Sequence, residues 1–236
     1  MSVFSESGIP DNQLLAALSI EDYQRLAPHL ELVTLRPQQV LYEVGEPILN
    51  VYFPNRSIIS LINTMEDGAT IEVGLVGREG MVGIPVILDD DVSIHRAFVK
   101  IPDTALRVRA DILKAEFNQG GTLQRLLLRY TQLLLVQLSQ AAACNRFHTI
   151  EERLARQLLL IQDSLQTSEF PLTQEFLAQI LGTRRSGVTV AAGAFNQAGM
   201  IRYSRGRITI LNREGLEATS CECYQVIRKE FKRLFD

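Results

Sequence analysis

Residues 171–211 hold five arginines, Arg184, Arg185, Arg202, Arg205 and Arg207, against Glu175 as their only carboxylate. Five cations and one anion leave a local charge of +4 in a chain whose total is −3. A basic module on an acidic protein is the electrostatic footprint of a phosphate-backbone binder. All five cations are arginine, whose planar fork suits bidentate contact with phosphate or with a guanine edge.

The elements that must position these arginines can be read from the same stretch. Thr173 is a good N-cap, because its hydroxyl accepts from the free N–H groups of a first helical turn. Phe176, Leu177 and Ile180 follow at helical spacing, and Gly182 gives the backbone freedom to leave the helix. A second helix is expected from about Arg184 to Gln197, with Val188, Ala191, Ala192 and Phe195 inward and Gly199 as its stop. Met200 to Leu211 alternates as a half-buried hairpin that turns at Ser204-Arg205-Gly206. Helix, tight turn, helix and ribbon make a winged helix-turn-helix, whose second helix is shaped for a DNA major groove.

Other chemistries find less support. Cys221 and Cys223 flank Glu222, but on a helix residues two apart point to different sides. Neither they nor Cys144 show ligand spacing with His29, His95 or His148. All three thiols are therefore expected to be structural, with no metal, and the odd count argues against a disulfide framework. No nucleophile–base pair, paired carboxylates or phosphate loop appears, so the chain does not read as an enzyme and calls for no cofactor.

At 236 residues the chain can hold two domains with their own cores. A hydrophobic fraction of 46% and a charged fraction of 22% are ordinary for globular protein. No apolar run approaches the ~20 residues that span a bilayer. The first residues have neither a basic start nor an apolar core, so a cytoplasmic protein without membrane association is expected.

Texture changes along the chain. Residues 11–29 place Leu14, Leu15, Leu18, Tyr23 and Leu26 at helical spacing. Residues 30–110 turn to β-branched alternation, with strands expected at Gln39–Glu43, Val51–Pro54, Ile58–Ile62, Ala69–Val76 and Arg96–Ile101. Many short strands at such intervals indicate an antiparallel barrel, sandwich or roll. After Gly120-Gly121, Thr122 can cap a helix to about Asn145, a rod of roughly 36 Å at ~1.5 Å per residue. Leu127, Thr131, Leu134, Leu138 and Ala141 follow the spacing of a coiled-coil seam. Leu126, Leu128, Leu133 and Leu135 widen the apolar surface beyond one face, so one side is expected to pack on the β region and the other on a second copy. Thr149-x-x-Glu152 has the form of a capping box, opening a helix with Ile150, Leu154, Leu158, Ile161 and Leu165 in its stripe. Ser168-Glu169-Phe170-Pro171 breaks it, and Arg213–Phe235 reads as a final helix.

A β-rich region, a long dimer-type helix and a C-terminal winged helix, in that order, resemble the CRP–FNR superfamily of bacterial transcription regulators. The residues that carry the resemblance are Gly45-Glu46-Pro47 with Val51-Tyr52-Phe53, then Gly77-Arg78-Glu79-Gly80-Met81-Val82-Gly83, then Glu152-Arg153-Leu154-Ala155. The string from Leu172-Thr173 to Leu181-Gly182 and the wing Ile201–Leu211 complete it. The resemblance implies an α+β fold: an N-terminal antiparallel β-roll of the cyclic-nucleotide-binding type in residues 1–118, a dimerisation helix in 119–146, and a winged helix-turn-helix in 147–236.

Departures from the family's motifs bear on mechanism. Cyclic-nucleotide binders carry Gly-Glu-Leu on the phosphate turn and an Arg-Ser pair further on; here Gly83 is followed by Ile84 and Pro85, and Arg96 by Ala97. Losing the ribose acceptor leaves hydroxyls unpaired at ~1–3 kcal/mol, so Gly83, Ile84, Arg96 and Ala97 mark a degenerate effector pocket that does not depend on cyclic AMP. No cysteine precedes Cys144, which excludes the iron–sulfur chemistry of the oxygen-sensing branch, and His95 reads as a loop imidazole rather than a haem ligand. On the recognition helix, Arg185 keeps the guanine-reading position, while Ser186 and Val190 replace a Glu and an Arg. Thr189 and Val190 can instead meet a thymine methyl, and Arg184, Arg205, Arg207 and the Thr173–Gln174 helix start are expected to hold phosphates.

The implied function is a homodimeric DNA-binding regulator acting on a palindromic operator. Its partners would be double-stranded DNA, a second copy, RNA polymerase and a small-molecule effector whose identity the sequence does not give. The competing reading is a ligand-binding or protein-docking module whose winged helix no longer reads DNA.

Overall fold

A computed structural model describes residues 10–68 and 70–236. Residue contacts divide the described residues into two compact units, one of 10–61, 74–135 and 233–236, the other of 62–68, 70–73 and 136–232. Among the described residues no helix is long and apolar enough to cross a membrane.

The first unit begins with two short helices, α1 (Gln13–Ala16) and α2 (Ile20–Leu26). Asn12 fixes the first: its Oδ1 accepts from Leu15 N–H, while its Nδ2 donates to the carbonyls of Pro54 at 2.8 Å and Gly80 at 2.9 Å. One fully buried amide thus caps a helix and ties it to the end of a strand and to a loop of the β region. Ser19 caps α2 in the same way, accepting from Asp22 N–H.

Seven strands follow: β1 (Glu31–Thr34), β2 (Val40–Tyr42), β3 (Asn50–Pro54), β4 (Ile58–Thr64), β5 (Thr70–Val76), β6 (Arg96–Ile101) and β7 (Thr104–Arg109), the end of β4 and the start of β5 falling to the second unit. They form two sheets, ordered β1-β7-β3 and β2-β6-β4-β5. In the first sheet β7 is central and antiparallel to both neighbours, with Leu106 opposite Leu32 and Val108 opposite Val51. The core lies on the inward residues Val51, Phe53, Ile59, Val99 and Val108, all essentially without exposure. Each such side chain contributes roughly 1.5–3 kcal/mol of apolar burial. The expected strands are present within a few residues, although Ala69 lies outside the described residues. β1 and β7 had not been singled out.

α3 (Ala110–Asn118) leads to α4 (Gly121–Phe147). The carboxylate of Asp22, on α2, accepts from Leu123 N–H at 2.9 Å, so a side chain from elsewhere in the unit satisfies the first turn of α4. Leu123, Leu126, Leu127, Tyr130 and Leu133 are buried within the chain. Of the expected seam this removes Leu127, which has no exposed surface to offer a partner. The large apolar residues of this helix left outward are Leu128, Leu135, Leu138 and, at its end, Phe147.

The second unit is built on α5 (Ile150–Leu165). Its capping box is complete, with Glu152 N–H donating to Thr149 Oγ1 and Thr149 N–H to the Glu152 carboxylate at 2.7 Å. Leu154, Leu158 and Ile161 are buried, as their spacing implied. Strand β8 (Glu169–Pro171), helices α6 (Gln174–Leu181) and α7 (Arg185–Gln197), strands β9 (Ile201–Ser204) and β10 (Arg207–Ile210), and helices α8 (Arg213–Thr219) and α9 (Cys223–Phe235) complete the order. The wing is a three-stranded sheet ordered β8-β10-β9 rather than a two-stranded ribbon. The segment expected only to break α5 pairs with β10, Phe170 opposite Ile208. Asp163, Arg213 and Tyr224 form a polar clasp among α5, α8 and α9, with Arg213 Nη1 2.8 Å from Asp163 Oδ1 and the Tyr224 hydroxyl donating to Asp163 Oδ2 at 2.8 Å.

The cysteines depart most from expectation. Cys221 lies in the turn before α9 rather than on a helix with Cys223, so the two can face one point. Cys144, Cys221 and Cys223 come together with His148, against the expectation of thiols without a ligand arrangement.

Candidate nucleic-acid interface

The turn between α6 and α7 sets the geometry of the surface. Thr173 caps α6, its Oγ1 accepting from Phe176 N–H. Gly182 ends the helix at φ 53°, a left-handed conformation that spares a glycine the Cβ clash. The buried guanidinium of Arg153, reaching from α5, donates to the carbonyl of Leu181. This pins the C-terminus of α6 to the underlying helix and satisfies one of its orphan carbonyls. Arg184 takes the N-cap position of α7 in extended backbone, and Arg185 is the first helical residue.

α7 has two faces. Val188, Ala191, Ala192 and Phe195 are buried, as expected. Arg185, Ser186, Thr189 and Val190 stand on the exposed side, Val190 at 68% exposure. Gln174 links the helices across the turn: its Oε1 accepts from Thr189 Oγ1 at 3.0 Å and lies 3.5 Å from Arg185 Nε. The structure therefore brings Thr173, Gln174, Arg184, Arg185, Ser186, Thr189 and Val190 onto one surface. Gln174, read as a phosphate contact, also steadies Arg185 and Thr189.

The wing turns on Arg205 and Gly206, at φ 50° and 74°. Two consecutive positive values make the tight turn that suits hairpin twist, and they present an exposed Arg205 at the tip. Arg207 is not free as expected, because its Nε lies 2.8 Å from Glu169 Oε1. The charge count over 171–211 stopped two residues short of this partner. Both side chains are about half exposed, so the pair holds Arg207 by only ~0.2–1 kcal/mol and can yield to a phosphate. Arg202, outside the expected contact set, is exposed on β9.

The residues read as an effector pocket lie in the first unit, packed around Gly83. Gly83, at φ 118°, opens a short 3-10 helix over Ile84–Leu88. A Cβ there would meet Val51 Cγ2 at 3.0 Å and the Tyr42 hydroxyl at 3.3 Å. The Tyr42 hydroxyl is buried and donates to the carbonyls of Asn50 or Val82, and burial pushes its pKa well up, so it stays neutral. Arg96 faces Glu43, Nε to Oε1 3.2 Å, and Ala97 is fully buried on β6. Of the expected dimer residues, Thr131 donates its hydroxyl to the Leu127 carbonyl, Leu134 and Ala141 are half-buried, and Leu138 is exposed.

Residues 152–219 match the Crp-like helix-turn-helix domain family. The chain is 21% identical over 187 residues to the global nitrogen regulator of Nostoc sp. strain PCC 7120, covering 75% of this chain and 83% of that protein. In fold it is similar to FixK2 from Bradyrhizobium japonicum, with a TM-score of 0.71 at 17% identity over 81% of this chain and 98% of the other. It is also similar to a transcriptional regulator of the Crp/Fnr family from Eubacterium rectale, with a TM-score of 0.67 at 16% identity over 89% and 98%. The roles named among these proteins are regulatory rather than catalytic.

Proposed function

We propose that this chain, which is of the Crp/Fnr type in its fold and its helix-turn-helix domain, is a homodimeric, sequence-specific transcription regulator. It binds a palindromic site in double-stranded DNA in the cytoplasm and acts without cyclic AMP. The observation that carries this reading is the exposed face of α7, where Arg185, Ser186, Thr189 and Val190 are flanked by Arg184 and by Arg205 on the wing. A helix face of this size enters a major groove, and flanking arginines set its register on the phosphates.

Arg185 reads a guanine, while Thr189 and Val190 offer a methyl surface to thymine. Arg184, Arg205 and Arg207 hold phosphates, the last by exchanging Glu169 for DNA. A pair of such heads addresses half-sites about 34 Å apart. Dimerisation is supported by the apolar residues that α4 leaves outward. Leu128, Thr131, Leu135, Leu138 and Ala142 recur at alternating spacings of three and four, sharing Thr131 and Leu138 with the seam read in the sequence and moving its other three members on by one. Independence from cyclic AMP is supported by Arg96 facing Glu43 and by Tyr42 and Val51 packed against Gly83. RNA polymerase and a small-molecule effector of another chemistry belong to the same proposal.

The exposure of Val190 favours a second reading, in which α7 docks a protein. Selection of genomic DNA fragments at ~150 mM salt, followed by a salt titration, separates the two. Three phosphate-holding arginines per protomer neutralise about six charges in a dimer, so log K should fall with log salt at a slope near −5. An enriched palindrome with that slope supports the regulator. A flat salt response and no enriched sequence would sink it.

A further inference from the structure

Three buried thiols and one imidazole meet at one point of the second unit. Cys144 lies near the end of α4 and His148 just beyond it, a four-residue spacing that keeps both on one side of the chain. Cys221 stands in the turn after α8, and Cys223 opens α9. Their four ligating atoms all lie within 4.8 Å of one another. Cys144 Sγ is 3.5 Å from Cys221 Sγ, and Cys223 Sγ is 3.7 Å from His148 Nδ1. Bonds of about 2.0–2.3 Å to one tetrahedral ion would set such atoms roughly 3.5–3.8 Å apart.

Two neighbours complete the arrangement. His148 Nε2 lies 3.2 Å from Glu222 Oε2. A carboxylate on the far nitrogen fixes the tautomer in which Nδ1 keeps its lone pair, as the supporting carboxylate of a metal-bound histidine does. Arg156, only 7% exposed, has an Nε without a hydrogen-bond partner among the described residues, and its charge acts on all three sulfurs. Facing three thiolates around a divalent cation, it meets one net negative charge and balances it.

We propose that Cys144, His148, Cys221 and Cys223 bind one zinc ion in a closed tetrahedral Cys3His site. Sulfur-rich, four-coordinate surroundings with no open position are those of structural zinc. The ligands come from the end of α4 and from the segment entering α9, so coordination ties together parts of the unit 73 residues apart, counted from His148 to Cys221. Metal affinity then adds to the folding free energy of the DNA-binding unit. The site stands whether or not α7 reads DNA.

The test uses the full chain, expressed in zinc-supplemented medium and purified under reductant. Elemental analysis should find one zinc per chain, and exchange with cobalt(II) should give the intense visible absorption of a tetrahedral thiolate complex. Cys221→Ser should abolish stoichiometric retention. Because that variant can also disturb packing, Glu222→Gln provides a second readout: Glu222 is 77% exposed, so the fold should persist while zinc affinity, measured against a chromophoric chelator, falls about tenfold. Reduced, folded protein that retains no metal and gives no tetrahedral cobalt spectrum overturns the proposal. So does recovery of a Cys144–Cys221 disulfide or an iron cluster in place of zinc.

Discussion

Gly80→Ala should destabilise the first unit well beyond what a surface alanine does, because Gly80 lies against the ring of Tyr130. A Cβ at Gly80 would stand 2.6 Å from Tyr130 Cζ and 2.8 Å from Cε2, and nearer still to the hydroxyl oxygen. Comfortable carbon contacts begin near 3.5 Å, so the turn and ring must part by roughly 1 Å. Tyr130 is fully buried, hydrogen-bonded to the Met81 carbonyl at 3.3 Å, and flanked on α4 by buried Leu126, Leu127 and Leu133. The ring is buried and held by its neighbours, and overpacking of this kind costs about 1–3 kcal/mol. Loss of glycine's unfolded-state freedom acts the other way by ~0.4–1 kcal/mol, leaving a net loss of about 1–2 kcal/mol. At ~2–4 °C per kcal/mol for a chain of this size, the melting temperature should drop by about 2–8 °C. Calorimetry or circular dichroism reads the shift. Repeating the change in a Tyr130→Leu background isolates the clash, because alanine should then cost almost nothing. Equal losses in the two backgrounds, or no loss in either, would refute the reasoning.

Arg185→Ala should weaken binding to the selected operator by about 1–3 kcal/mol per half-site while random DNA loses far less; equal losses would make Arg185 a phosphate contact only. Leu135→Asp, at a residue 54% exposed on α4, should give folded monomers in sedimentation; an intact dimer would remove that face from the interface. Burial raises the Asp22 carboxyl pKa, but hydrogen bonds from Leu123 N–H, Arg25 and Thr122 N–H more than offset it, leaving a value below the ordinary one. Its contribution is therefore fully present above the unfolded carboxylate pKa and is lost as pH falls through the lower folded value. Asp22→Asn should cost about 2 kcal/mol at neutral pH and flatten the acid limb of stability against pH; an unchanged acid limb would refute the assignment.

The residues around the winged helix were the most legible, because each signal there is local. Thr173, Gly182 and the Thr149–Glu152 box act within four residues, and the buried stripe of α7 follows helical period. β8 escaped because three residues ending in Pro171 look like a break until their partner is known, and that partner, β10, lies more than thirty residues on. β7 escaped because Leu106 and Ala105 are helix-compatible and run directly into α3. Along α4, two overlapping heptad-like sets share Thr131 and Leu138, and only the burial of Leu127 shows which of the remaining positions is spent inside the chain. The thiol cluster depends on a tertiary contact between His148 and Cys223, although the Cys144–His148 spacing was a signal available in the sequence.

The third strand of the wing has a further consequence. Because β10 is paired on both sides, by β9 and by β8, the Arg205 tip is mounted on a braced sheet instead of a free ribbon. Under the proposed regulator reading, ordering it on DNA would cost about one side chain's rotamer freedom, ~0.5–1.5 kcal/mol, instead of that of a whole loop. A braced tip and a helix start capped by Thr173 behave as the two points of a caliper. Under the proposed regulator reading, a fixed caliper would tolerate only duplexes whose grooves match its span, so base pairs that no side chain touches would still be discriminated through groove width and the cost of bending.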